Sequence, residues 1–280
     1  MIELLSKKEP GLCKPLPDNW QEILGFVSDS CLHSEPAGYC RLPIIVCGEC
    51  SSTFAVARAL LNEKKLPVWG SVLTLGQWQG RGQKGREWIS PPGNIYASLR
   101  LPAPPPKWDT ILSLLCGYCL VQAFSELGFA AVLKWPNDIL LCGSKVAGLL
   151  LEERAGEIVL GTGINVSFAP PASSLRSGTT IKPTCLNQQG QKTFFALPLW
   201  STLVSSFYFC YQNMVLRLTP SVFLTRLYSN FAFSGEIVTI TLKNEEVTGL
   251  FSGLTPDGGI VLTVGDKTRV FFSGSLLPAI

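Results

Sequence analysis

Residues 80–88 read Gly-Arg-Gly-Gln-Lys-Gly-Arg-Glu-Trp, and they put three glycines and three cations into one short stretch. Gly80, Gly82 and Gly85 permit tight turns and close approach of the backbone to a ligand. Arg81, Lys84 and Arg86 add positive charge to a run of backbone amides, a combination that receives anions. Only 15% of the 280 residues are charged, so this clustering stands apart from an ordinary solvated face. A basic glycine loop suits closure over a polyanion such as a nucleotide phosphate, and we take it as the centre of the active site.

Three more groups share its chemistry. Lys134-Trp135-Pro136-Asn137-Asp138 sets a cation and two polar oxygen donors around a rigid proline turn. Lys145-Val146-Ala147-Gly148 follows closely, and Gly161-Thr162-Gly163-Ile164-Asn165 ends a later strand. Taken singly, each has an ordinary reading: Lys145 as an exposed hairpin lysine, Asn165 as a strand-end cap, Trp135 as a core residue. Gly80-x-Gly82-x-x-Gly85 also matches the dinucleotide fingerprint literally. That fingerprint needs its third glycine to open a helix, and Pro91-Pro92 forbid one here.

The elements that must hold these groups alternate along the chain. Strands are expected at Leu42–Val46, Val68–Leu75 and Ile95–Leu101, with a helix from Ser52 or Thr53 to about Lys65, stopped by Pro67. An apolar helix runs from Asp109 or Thr110 to Gly128, then a strand Val132–Trp135 that Pro136-Asn137-Asp138 breaks. Val146–Arg154 and Glu157–Val166 form a hairpin turning at Ala155-Gly156. Residues 170–191 read as a polar loop, Phe194–Leu218 as a long aromatic helix, and Pro220 starts a short one. Beyond Ser234 come short alternating strands, Ile237–Leu242, Glu246–Leu254, Gly259–Val264 and Thr268–Phe272, the pattern of a small closed β-barrel. The fold class is α+β: an N-terminal extension over 1–40 with one helix-like piece at Asp18–Val27, a catalytic domain over 41–232, and a barrel over 233–280.

Composition removes several classes. Hydrophobic residues make up 46%, which supports a sizeable core. A net charge of +3 fits local anion handling and not nucleic-acid coating. The first ten residues lack the apolar core of a signal peptide, and no bilayer-length apolar run appears despite a mean hydropathy of +0.28. We therefore expect a cytoplasmic protein with no membrane partner. The single histidine, His33, lies in a polar stretch and leaves no histidine triad or metal cage. Cys47/Cys50 and Cys116/Cys119 are too far apart in sequence for a zinc ribbon. Cys116 and Cys119 lie in an apolar helix, where cysteine serves as a small hydrophobe.

Taken together and in this order, the glycine-arginine loop, the Lys-Trp-Pro-Asn-Asp turn, the Lys-x-Ala-Gly strand and the Gly-x-Gly-Ile-Asn strand resemble the biotin protein ligase family. The resemblance covers residues 45–165, and the terminal barrel suits that family's SH3-like domain. Lipoate ligases and octanoyltransferases share the catalytic fold but fit the Lys134–Asp138 turn and the barrel less well. The resemblance implies a class II synthetase-like catalytic domain that uses ATP, biotin and Mg²⁺. It also implies a biotinyl-5′-AMP intermediate and, as acceptor, a lysine of a biotin carboxyl carrier protein domain of a biotin-dependent carboxylase. A DNA-binding repressor would need an N-terminal winged-helix domain, for which residues 1–40 look too short, so no DNA partner is expected. A homodimer through a sheet edge is an option the family allows.

Residue roles follow from the same resemblance. Ser52, Thr53, Gln77, Gly80, Arg81, Lys145 and Gly148 would contact biotin. Gln83, Arg86, Trp88, Asn137, Asp138 and Asn165 would serve the nucleotide side, with Trp88 over the adenine and the asparagines and Asp138 orienting phosphates or Mg²⁺. Lys145, Arg81 and Arg86 would carry the chemistry, and no protein metal cage is expected. This sequence departs from the family in three places. Gln83 replaces a loop arginine, Phe54 stands where Asn commonly follows Ser-Thr, and the turn Ser90–Asn94 is one residue shorter. A lost arginine removes a charge-assisted contact of roughly 1.5–3 kcal/mol, which predicts weaker retention of the adenylate.

Overall fold

The computed structural model describes residues 1–5, 12–25, 42–171, 181–189, 192–243 and 245–279. His33, Val27 and half of the polar loop expected over 170–191 lie outside these residues. An eight-stranded mixed sheet carries the catalytic domain: β1 (Ile2–Leu4), β2 (Ile44–Cys47), β3 (Ser71–Thr74), β4 (Ile95–Leu101), β5 (Ala131–Lys134), β6 (Asp138–Leu141), β7 (Ser144–Arg154) and β8 (Glu157–Ile164). Their spatial order is β1-β2-β3-β4-β8-β7-β6-β5. The first three are parallel and the remaining pairings antiparallel.

Period-two alternation assigns the two faces of the sheet. Ile95, Ala97, Leu99 and Leu101 of β4, with Ile158, Leu160 and Ile164 of β8, enter the main core. That core is closed by α3 (Leu112–Glu126) and the 22-residue α4 (Ala196–Arg217). Within it, buried Trp200 donates its indole N–H to Ser71 Oγ at 3.0 Å. Cys116 and Cys119 are fully buried in α3, and burial pushes both thiols well up from their usual values.

Val159 of β8 instead joins Ile45, Cys47 and Val72 in a smaller cluster under α2 (Thr53–Asn62). Ser52 caps α2, its Oγ accepting from Ala55 N at 3.3 Å. By the same alternation Ser98, Gly161 and Gly163 lie on the α2 face, which α2 covers only in part. What remains open there is the site.

The other α-helices among the described residues are the short α1 (Trp20–Leu24) and α5 (Pro220–Tyr228). The C-terminal unit is an antiparallel sheet of β9 (Ile237–Thr241), β10 (Glu246–Leu254), β11 (Ile260–Val264), β12 (Lys267–Phe271) and β13 (Ser275–Pro278). Its order is β12-β11-β10-β9-β13, and among the described residues no ladder joins β12 to β13. The strands expected to close on themselves thus pair as an open series. Trp135, 2% exposed, ties this unit to the catalytic sheet by donating its Nε1–H to Gly258 O at 3.2 Å.

Three strands went unforeseen. β1, inside the supposed extension, pairs with β2 through Ile2–Ile44, Glu3–Ile45 and Leu4–Val46, so the catalytic sheet begins at the first residues. β6 follows the proline turn directly, where a break was expected; its apolar run Ile139-Leu140-Leu141 is too short to show periodicity. β13 is equally short and ends in Pro278, which an edge strand tolerates.

Candidate active site

On the open face, two adjoining cavities of ≈ 160 and ≈ 390 Å³ share Arg86, Glu87, Trp88, Lys134, Asp138, Lys145 and Ser275. The first reaches Ser52, Thr53 and Gln77 at the start of α2 and is floored by Gly148, Gly161 and Gly163 of β7 and β8. Asn165, Pro170, Ile181, Pro183 and Leu277 enclose the second.

The floor is open because three crossing positions lack side chains. Gly148 and Gly163 are paired across β7 and β8, and the Trp88 ring lies against both. A Cβ at Gly163 would stand 2.6 Å from Trp88 Cε2, and one at Gly148 3.0 Å from Trp88 Cζ3. The Trp88 indole N–H is buried without a hydrogen-bond partner. Phe54 fills the space over Gly161, so the residue replacing the family's usual Asn acts as a packing wall.

At the α2 end the polar groups hold one another. Gln77 Oε1 accepts from Thr53 N at 2.8 Å and from Thr53 Oγ1 at 3.3 Å, while Gln77 Nε2 donates to Ser90 Oγ at 3.2 Å. Ser98 Oγ donates to Thr53 Oγ1 at 2.8 Å. A fixed Gln77 amide and a helix N-terminus suit a neutral polar ring with both donors and acceptors.

At the seam of the cavities sits a charge cluster. Asp138 Oδ1 lies 2.6 Å from Lys145 Nζ, and its Oδ2 lies 3.1 Å from Lys134 Nζ. Burial works to raise the Asp138 pKa, but the Lys145 and Lys134 ammonium groups outweigh it and hold the carboxyl below its ordinary value. Lys145 Nζ also sits 5.2 Å from the Trp88 ring centroid, a cation–π distance. The loop itself is a narrow hairpin: Gly82 N donates to Arg86 O at 2.7 Å and Trp88 N to Gly80 O at 2.9 Å. It turns through the short 3₁₀ segment Gln83–Gly85.

Of the thirteen residues expected from sequence, twelve line one or both cavities: Ser52, Thr53, Gln77, Arg81, Gln83, Arg86, Trp88, Asn137, Asp138, Lys145, Gly148 and Asn165. Gly80 lines neither. A Cβ there would meet Trp88 O and Ser90 Oγ at 2.5 and 2.7 Å, so a glycine at this position lets the hairpin close. The amides of Asn137 and Asn165 face backbone, donating to Leu149 O and to Thr184 O respectively. Trp88 rests on the glycine floor and lines both cavities.

Sequence reasoning missed the buried Lys134, the glycines Gly161 and Gly163 as a floor, and Gly274 and Ser275 from the C-terminal unit. Lys134 had a signal, its i,i+4 spacing to Asp138 within one motif. Ser275 had none, since only the docking of the two units brings it near. The described residues hold no group of three or more His, Cys, Asp or Glu placed to bind a metal. Both Asp138 oxygens are engaged by lysines, so this carboxylate is not set up as a metal ligand.

Comparison with known proteins bears on the same residues. Residues 49–168 match the biotin/lipoate A/B protein ligase family, and residues 233–275 match the biotin protein ligase C-terminal domain. A biotin–[acetyl-CoA-carboxylase] ligase of Paracoccus denitrificans is 30% identical over 242 residues, spanning 80% of this chain and 98% of that protein. The bifunctional ligase/repressor BirA of Bacillus subtilis is 38% identical over 128 residues, 43% of this chain and 39% of that one. In fold, a biotin protein ligase from Aquifex aeolicus, solved with biotin and ATP, gives a TM-score of 0.70 at 24% identity, covering 85% of this chain and 99% of that one. The two family matches, in this order along the chain, place it in the class of biotin/lipoate protein ligases. The chain belongs to the biotin protein ligase family.

Proposed function

We propose that this protein activates biotin with ATP and ligates it to a lysine of a carboxylase carrier protein. The observation that carries the reading is convergence: Arg81 and Arg86 of the glycine loop and Lys145 of β7 line one cavity over a glycine floor. Biotin's fused ring fits the Thr53–Gln77 end, and the nucleotide fits the second cavity. The seam between them is where carboxylate and α-phosphate would meet.

A biotin carboxylate oxygen attacks the α-phosphorus, the bond from that phosphorus to the β-phosphate bridging oxygen breaks, and pyrophosphate leaves. Two anions must approach, so preorganised cations supply the main help. Lys145 neutralises the reacting oxygens, and Arg81 and Arg86 hold charge on the loop above. In the second step a lysine nitrogen attacks the acyl carbon, the bond to the AMP oxygen breaks, and the nitrogen loses a proton. The loop over the cavity excludes water from the anhydride in between. Mg²⁺ held by the triphosphate would supply charge screening there. Because the reaction consumes ATP, we expect it to run in the cytoplasm.

Transfer of labelled biotin to a carrier domain tests the reading directly. Label should appear on the carrier with ATP and not without it, and lipoate should not replace biotin. Lys145→Ala should abolish pyrophosphate release while leaving the melting temperature within a few degrees of wild type. ATP-independent transfer, or release at the wild-type rate in Lys145→Ala, overturns the assignment.

A further inference from the structure

Among the described residues Lys134 is the one buried lysine, 5% exposed. Burying an ammonium is costly unless it is paired, and Lys134 lines both cavities on the face opposite the core side taken by Leu133 and Trp135. Packing alone favours an apolar residue there. The register explains what the lysine does. Lys134 and Asp138 are paired across β5 and β6, and Asp138 lies opposite Gly148 of β7. The pairing of β6 with β7 shifts between Ile139 and Leu140, so that Lys145 is set opposite Leu140. Asp138 is thus held from one side by Lys134 at 3.1 Å and offers its other oxygen to Lys145 at 2.6 Å.

Resting on the ligase reading, we propose that Lys134 is a positioning residue: it fixes Asp138, and Asp138 in turn aims the Lys145 ammonium at the seam of the two cavities. Two consequences follow from charge. A flexible lysine tethered to a fixed carboxylate gives up rotamer freedom before the substrates arrive, not during reaction. Two ammonium groups sharing one carboxylate also carry a net positive charge. Asp138 paired with Lys145 alone would cancel the charge that the reacting oxygens need; shared with Lys134, it leaves that charge available. Lys134 is therefore required for the rate of adenylate formation more than for binding.

The test uses the full chain and follows pyrophosphate release from ATP and biotin for Lys134→Met, Lys134→Arg, Asp138→Asn and the Lys134→Met/Asp138→Asn double variant. Lys134→Met should lower kcat by about 30-fold or more while both KM values stay within about threefold. Lys134→Arg, which keeps the charge and the reach, should recover most of the rate. Because Lys134 acts through Asp138, the double variant should lose no more than Asp138→Asn alone. Should Lys134→Met fail to fold, Lys134→Gln takes its place in the cycle. With an active wild type, multiplicative losses in the double variant overturn this inference and leave the ligase reading intact. So does a Lys134→Met protein that melts lower but turns over at the wild-type rate. A wild type that releases no pyrophosphate overturns the reading itself.

Discussion

At the scale of single residues, the site depends as much on missing side chains as on charged ones. Gly163 allows the Trp88 ring to settle on β8, and that ring lines both cavities. Gly163→Ala would set a methyl 2.6 Å from Trp88 Cε2, and the ring would have to lift into the space a ligand needs. The strand itself tolerates alanine, so stability should change little. One methylene in a specificity pocket is worth roughly 1–3 kcal/mol. Calorimetry should therefore show biotin affinity falling by about tenfold or more in Gly163→Ala, with a near-normal melting temperature. Wild-type affinity in that variant would mean that the floor of the cavity is not where the ligand lies.

At the scale of elements, one contact between α2 and β8 is an exchange: a large side chain on the helix for none on the strand. Phe54 is 6% exposed and occupies the space over Gly161. Gly161→Ala should destabilise by about 1–3 kcal/mol through overpacking, and Phe54→Leu should relieve part of that cost. Thermal melts of both single variants and the double check it, with a less-than-additive loss expected; strict additivity would show that the two positions do not press on one another. The pair also marks where the sequence was legible. The strand β4 was read to its exact ends because seven alternating residues precede a proline, and α2 was read from Ser52 or Thr53 because a cap has a residue signature. Phe54 looked like a departure from the family because its partner, Gly161, is remote in sequence. The short β6 and β13 escaped for a related reason: four residues give too little periodicity to separate strand from turn, and only pairing with their neighbours defines them.

At the scale of the whole molecule, the C-terminal unit completes the site. Ser275 borders both cavities, and Leu277, two residues along β13 on the same face, lines the second. No sequence signal marks either residue, because their place follows from docking. That docking is held in part by the hydrogen bond from Trp135, inside the Lys-Trp-Pro-Asn-Asp motif, to Gly258 O. The motif therefore carries a charge cluster on one side and the inter-unit contact on the other. If the second cavity receives the nucleotide, bulk introduced from the C-terminal unit should affect ATP alone. Leu277→Trp should raise the KM for ATP by about tenfold, the order expected for a few lost apolar contacts of about 0.8 kcal/mol each. Biotin affinity in the absence of ATP should be unchanged. The two measurements separate cleanly: a parallel loss of biotin binding would show that the cavities act as one, and an unaltered KM would remove the C-terminal unit from the nucleotide site.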